Sequence, residues 1–117
     1  MPKVSRLEKK KLSLSLLLLS LFKEKFKNDQ TKSFKHVSEY DRKTYDLSLS
    51  LDVIYHLIED KTYHNYINNI KNSCDKFLII FSSNKNESTN VHHVKHRIFT
   101  DDLSDSFKLI NYIPNPF

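Results

Sequence analysis

The sequence predicts an α/β fold in which parallel strands alternate with helices. Residues 45–51, "YDLSLSL", alternate apolar and polar side chains as a strand with two different faces does. Residues 76–81, "KFLIIF", form an uninterrupted apolar run, which is typical of a strand covered on both faces in a parallel sheet. A helical pattern separates the two, and this order favours βαβ units. In such sheets ligands bind at the carboxyl ends of the strands.

Composition narrows the function classes. The 117 residues are enough for one small domain and include no glycine, so the Gly-rich loops that cradle phosphates and nucleotides are excluded. The formal net charge of +5 allows nucleic acid as a partner, but no aromatic–basic RNA-binding motif indicates it. Cys74 is the only cysteine, which excludes an intrachain disulfide and favours a reducing compartment. We therefore expect a cytoplasmic protein.

Residues 1–28 are predicted to form a basic, leucine-rich helix that ends at Asn28-Asp29. The apolar side chains of "KKKLSLSLLLLSLF" that share one helical face are Leu12, Leu16, Leu18, Leu19 and Phe22. This run is shorter than the roughly 20 residues that span a bilayer, so no membrane span is predicted. A signal peptide is the alternative, but no small-residue cleavage site follows the apolar run. A buried or partner-facing helix fits the pattern better.

The later elements follow in order along the chain. In the first strand the leucines share one face and the serines share the other, where small side chains let a helix pack closely. Asp60 is the predicted N-cap of a helix over 61–73, whose apolar stripe contains Tyr63, Tyr66, Ile67 and Ile70. After the second strand we expect a short helix in "FTDDLSDS", capped by Thr100, and a last strand in "FKLINYI" that ends at Pro114.

These segments together resemble a known family. "YDLSLSLDVIYHLIED", "KFLIIFSSN", "HVKHRIFTDDL" and "FKLINYIPNPF" resemble, in order and spacing, the C-terminal half of a class I S-adenosylmethionine-dependent methyltransferase. The resemblance runs from about Lys23 to Phe117. It implies a partial Rossmann-like sheet with flanking helices, truncated at both ends, in which residues 29–117 are the C-terminal part of the methyltransferase domain. It also makes "SFKHVSEY" a strand.

The resemblance implies a site at the end of the first strand. It places Asp52 at the cofactor and makes Tyr55 and His56 catalytic, with His56 as a general base. Glu39 is expected to face the adenine. The structural alternatives are that Asp52 caps a turn, that Tyr55 packs in the core and that Glu39 is a solvated loop acid.

The loop "VHHVKHR" is the second candidate region. His96 and Arg97 are expected to contact the substrate, and an ordinary exposed loop is the alternative reading. The spacing of His92, His93 and His96 could present two imidazoles to zinc. Because no cysteine or acid lies close enough in the sequence to complete the ligand set, no metal site is predicted.

The resemblance implies transfer of a methyl group from S-adenosylmethionine to an oxygen or nitrogen of an unknown acceptor. Since the Gly-rich cofactor loop is missing, we expect the chain not to be competent alone and to need a complementary N-terminal half. Two alternatives stay open. One is a structural module that completes its sheet with a partner, because open sheet edges recruit strands. The other is a small secreted or membrane-associated basic protein led by the leucine-rich stretch.

Overall fold

The computed structural model describes residues 6–115, and the side chains of residues 16–115. The chain divides into two compact units between Asp41 and Arg42, and each unit is described by itself. The helices and strands, in chain order, are α1 (Arg6–Lys25), β1 (Tyr45–Leu51), α2 (Asp60–Ser73), β2 (Cys74–Phe81) and α3 (Phe99–Leu103), with short 3₁₀ helices at Val37–Glu39 and Ile54–His56.

The first unit consists of α1 and the turn that follows it. The helix is confirmed, and it ends at Lys25, close to the predicted stop at Asn28-Asp29. The rings of Phe22 and Phe26 stack on Phe34, with centroids 5.6 and 5.3 Å apart, and fold the chain back on the end of the helix. Several apolar side chains of α1 are about half exposed: Leu16, Leu17, Leu18, Leu21 and Phe22. The side chain of Leu12, also placed on the predicted apolar face, lies outside the described ones.

The strand predicted for residues 33–40 is also wrong. This segment is irregular up to His36 and then forms the 3₁₀ helix Val37–Glu39. The Nδ1 atom of His36 accepts a hydrogen bond from the amide of Ser38, and a carboxylate oxygen of Glu39 accepts one from the amide of His36. These reciprocal bonds form a capping box, which satisfies backbone donors locally and does not require a neighbouring strand.

The second unit contains a two-stranded parallel sheet, as the sequence predicts. β1 and β2 are hydrogen-bonded neighbours, with Leu49 opposite Ile79, and α2 connects them. The serine face of β1 is the one that α2 covers, as expected. Ser50 is 2 % exposed and its hydroxyl is 2.8 Å from that of Tyr66, while the hydroxyls of Ser48 and Ser73 are 2.7 Å apart.

The core of this unit lies between α2, α3 and the covered face of the sheet. Its buried members are Ile54, Tyr63, Ile67, Phe99 and Leu103, with Leu78, Ile80 and Phe107 packed against them. The stripe predicted for α2 is confirmed, because residues spaced by three and four positions share a helical face. Cys74 is buried where α2 passes into β2.

The opposite face of the sheet is apolar and exposed, which corrects the prediction that β2 is covered on both faces. Six side chains form this surface, called the bare face below, and each is 46–56 % exposed: Leu47, Leu49, Leu51, Phe77, Ile79 and Phe81. No described helix of the second unit packs on the bare face, because α2 and α3 both lie on the core side.

Three finer predictions also need correction. Asp60 is the first residue of α2 rather than its cap, and Thr100 lies inside α3 rather than before it. Residues 107–113 form no strand within the described part of the chain. The sheet described here therefore has two strands, and the Rossmann-like extension stays a prediction.

Among residues 6–115, no helix combines the length and the apolarity that crossing a bilayer requires.

Candidate functional site

The first strand ends in an unusual backbone conformation at Asp52. Its φ angle is 64°, in the left-handed region that glycine occupies most easily. The chain has no glycine to place there, and aspartate is among the residues that tolerate this region best. The amide of Asp52 donates to the carbonyl of Phe81 at 2.9 Å, which closes the ladder between the strands. The chain then turns sharply into the 3₁₀ helix Ile54–His56.

This turn brings the three predicted junction residues together. The hydroxyl of Tyr55 donates to the carboxylate of Asp52. The rings of Tyr55 and His56 are 4.3 Å apart between centroids. The structural alternatives for these two residues fit in part. Asp52 binds a side chain of the turn that follows it, and Tyr55 is half-buried. His56 is exposed at the rim.

The loop at residues 91–97 lies beside this junction. The amide of Lys95 donates to the carbonyl of Tyr55 at 2.8 Å. The imidazole Nδ1 of His56 is 3.2 Å from the carbonyl oxygen of His93, and the two rings are nearly parallel at 6.3 Å. His96 Nδ1 is 2.8 Å from the hydroxyl of Ser83, which follows β2. The loop thus bridges the carboxyl ends of both strands.

Arg97 has an extensive set of protein partners of its own. Its guanidinium donates to the carbonyls of Leu57 and Ile58, at 2.5 and 3.0 Å. It also donates to the carboxylate of Asp60 at 2.9 Å and lies 4.2 Å from the ring centroid of Tyr63. Its side chain is only 11 % exposed. The predicted role at a substrate stays a prediction, and the observed contacts fasten the loop to the start of α2.

Asp60 forms ion pairs with two cations of the loop, Lys95 and Arg97. Lys95 Nζ lies 2.8 Å from the same carboxylate oxygen that Arg97 contacts. Hydrogen bonds from Lys95 and Arg97 lower the pKa of Asp60 from 3.8 to about 2. Asp60 is therefore a fixed anion at neutral pH and is unsuited to proton transfer there.

Tyr63 and Asp102 form a second pair under the same loop. The hydroxyl of the buried Tyr63 donates to the carboxylate of Asp102 at 2.5 Å. Burial, and then the neighbouring Asp102 carboxylate, raise the pKa of Tyr63. The pair lines an open depression of about 410 Å³, whose other walls include Asp60, Lys95 and Arg97. Most polar groups of this depression already bind one another.

Glu39, the remaining predicted site residue, belongs to the first unit. Its carboxylate accepts the amide of His36 in the capping box and so has a local structural partner. Asp52, Tyr55, His56, His96 and Arg97 all belong to the second unit. Among the described residues, no group of three or more His, Cys, Asp or Glu side chains is arranged to hold a metal ion.

Comparison with known proteins adds no relative. No protein family, no curated protein and no solved structure matches this chain. The resemblance to methyltransferases therefore stays a proposal.

Sequence reasoning missed two features of the second unit. The first is the network of Asp60, Lys95 and Arg97, whose only signal was a basic run in a loop that follows a strand. The second is the bare face. Its signal was present, because a parallel sheet needs helices on both faces and residues 42–115 contain two α-helices, α2 and the short α3.

Proposed function

We propose that this chain is an interaction module that binds another polypeptide and completes its parallel sheet with it. The observation that supports this is the bare face, where six large apolar side chains are about half exposed in one contiguous patch. Parallel sheets occur with both faces covered. Large exposed apolar patches on folded proteins mark sites of association. A polypeptide with an apolar surface is the partner that this chemistry recognises.

The area of the bare face limits how tightly it can bind a partner without further contacts. At about 80 Å² for each half-exposed large side chain, the bare face offers roughly 500 Å² for burial. That area contributes on the order of 12 kcal/mol of apolar transfer free energy. Association costs about 4–15 kcal/mol in lost translational and rotational freedom. Stable binding therefore requires contacts beyond the bare face, such as pairing along an open strand edge.

Photo-crosslinking in the cells that make the protein tests this proposal. Benzoylphenylalanine at position 49 places the probe on the bare face, and the same residue at position 69 places it on the exposed side of α2 as a matched control. We expect adducts of discrete mass from position 49 and none of comparable yield from position 69. Equal yields, or no adduct at position 49, would contradict the proposal.

Methyl transfer is the second candidate function. It is favoured by the cluster of Asp52, Tyr55 and His56 at the carboxyl end of a parallel strand, next to the loop that carries His96. Ligands bind at this end of open α/β sheets. If the candidate is right, a complementary polypeptide supplies the cofactor loop, and S-adenosylmethionine and the methyl acceptor meet at this edge.

Calorimetry with S-adenosylmethionine separates the two functions. The interaction module predicts no heat of binding from the whole purified chain. Saturable binding that is lost in His56→Ala and kept in His64→Ala, an exposed histidine on α2, would favour the methyltransferase.

A further inference from the structure

The net charge of this chain is concentrated in its first unit. Residues 1–41 contain ten lysine and arginine residues and five aspartate and glutamate residues, which accounts for the whole formal net charge of +5. Residues 42–117 contain nine of each kind and are neutral. Such a charge asymmetry between two parts of a chain is typical of proteins that bind nucleic acid or a membrane surface. The basic excess therefore indicates an anionic partner for the first unit.

The same unit exposes apolar side chains on its helix. Leu17, Leu18, Leu21 and Phe22 of α1 are each 46–55 % exposed. At 3.6 residues per turn, their spacing places them within about 140° of the helix circumference, so they form one continuous strip. The partner of the first unit therefore has to suit apolar as well as basic side chains.

Basic residues stand at both ends of this apolar strip. Four of them precede it in the sequence "RLEKKK", and the exposed Lys23 and Lys25 follow it in the last turn of α1. Among residues 16–115, no ion pair with an acid is found for either lysine. The ammonium groups of Lys25 and Lys32 lie 5.5 and 5.7 Å from the ring centroid of Phe26. Lysines and aromatic rings side by side suit the boundary between water and lipid.

An anionic lipid surface complements both properties of α1. A nucleic acid would pair with the lysines and leave the leucines in water. A second copy of α1 would cover the leucines but bring two sets of like charges together. A membrane surface offers acyl chains to the leucines and anionic headgroups to the lysines. The apolar run at 12–22 is about 16 Å long as a helix, roughly half the hydrocarbon thickness, so it suits a helix that lies along the surface.

We propose that α1 binds the surface of a membrane that contains anionic lipids. The exposed leucines lie at the boundary between headgroups and acyl chains, and Lys23 and Lys25 contact the headgroups. This partner is distinct from the polypeptide proposed for the bare face and concerns the other unit, so either proposal can fail without the other.

Cosedimentation of the whole chain with lipid vesicles tests the charge contribution. We expect at least tenfold tighter binding to phosphatidylcholine vesicles with about 30 % phosphatidylserine than to phosphatidylcholine alone. The double variant Lys23→Gln, Lys25→Gln should bind the anionic vesicles about 20-fold more weakly, since each lysine near such a surface contributes roughly fivefold. Lys61→Gln, Lys76→Gln is the matched control, because it removes the same charge from the second unit, and it should bind like the unmodified chain.

A pair of leucine variants tests the apolar contribution. Leu21→Gln removes an exposed leucine of α1, and Leu47→Gln removes one of similar exposure from the bare face. We expect at least fivefold weaker vesicle binding for Leu21→Gln and no change for Leu47→Gln, with circular dichroism showing both chains folded.

Four results would overturn the proposal. The first is equal binding to neutral and anionic vesicles, and the second is an equal loss in the two lysine pairs. The third is binding to duplex DNA that is tighter than to the anionic vesicles and is kept in Leu21→Gln, which would assign the basic excess to nucleic acid. The fourth is no binding to either kind of vesicle, which would leave an acidic protein as the complementary surface.

Discussion

Asp52 occupies a backbone position that most residues avoid. Its φ angle of 64° is costly for a side chain branched at Cβ and free of cost for glycine. We expect Asp52→Val to lower the free energy of unfolding by about 2 kcal/mol relative to Asp52→Gly. Both variants lose the hydrogen bond from Tyr55, so that loss cancels in the comparison. Urea denaturation measures the difference, and equal midpoints would show that the turn is not strained.

Asp60 makes stability depend on pH in a defined window. Its pKa is about 2 in the folded chain against 3.8 ordinarily, because Lys95 and Arg97 hold the charged form. A depressed pKa contributes stability above 3.8, and this contribution is lost as the pH falls towards 2. We expect Asp60→Asn to be less stable than the unmodified chain at pH 7, and the gap to close between about pH 4 and pH 2.

Urea titrations at a series of pH values check this expectation. Glu59→Gln is the matched control, because it removes a charge from the neighbouring residue and leaves the contacts of Lys95 and Arg97 with Asp60 in place. A gap for Asp60→Asn that stays constant down to pH 2 would show that the ion pairs do not hold the carboxylate.

At the scale of elements, a buried phenol of α2 hydrogen-bonds to α3. The hydroxyl of Tyr63 reaches the carboxylate of Asp102, and hydrogen bonds to charged groups contribute about 1.5–3 kcal/mol. We expect Tyr63→Phe to lower the free energy of unfolding by about 2 kcal/mol, and Tyr45→Phe, the same change on an exposed ring, to have little effect. A double-mutant cycle with Asp102→Asn should give a coupling of about 1 kcal/mol. Additive effects would rule the pairing out.

The elements also show what the sequence could and could not predict. Strict alternation in β1 and the spacing of Tyr63, Ile67 and Ile70 determine those elements locally, and both are confirmed. Residues 33–40 were predicted as a strand through the resemblance alone. Their capping box depends on a side-chain hydrogen bond between His36 and Ser38, which hydrophobic periodicity does not register.

The candidate site, too, could be predicted from the sequence only in part. The sequence places Asp52, Tyr55 and His56 at a strand end, and three-residue spacing is enough to bring an acid and a phenol together in a tight turn. The partners of Arg97 lie about 40 residues away in the chain, so only the tertiary fold reveals them. Long-range polar pairing of this kind leaves no periodic signal in a single sequence.

At the scale of the whole molecule, the two faces of the sheet have different roles. The core face packs against α2 and α3, whereas the side chains of the bare face are about half exposed and lie outside the core cluster. We expect the double variant Leu49→Lys, Ile79→Glu to keep its free energy of unfolding within about 1 kcal/mol, since the two opposite charges face each other across the strands and the lysine stem can lie along apolar surface. The core-face variant Ile80→Lys should lose about 3 kcal/mol or more.

Dye binding by the unmodified chain, the double variant and Ile80→Lys separates folding from association. Fluorescence of an apolar dye should fall in the double variant, because the patch that binds the dye is interrupted by charge, and should rise in Ile80→Lys as the core opens. If the double variant unfolded as readily as Ile80→Lys, the bare face would be part of the unit's own core. A double variant that folds but no longer associates would show that the bare face makes contacts with another chain. That result would tie the exposed apolar surface directly to partner binding.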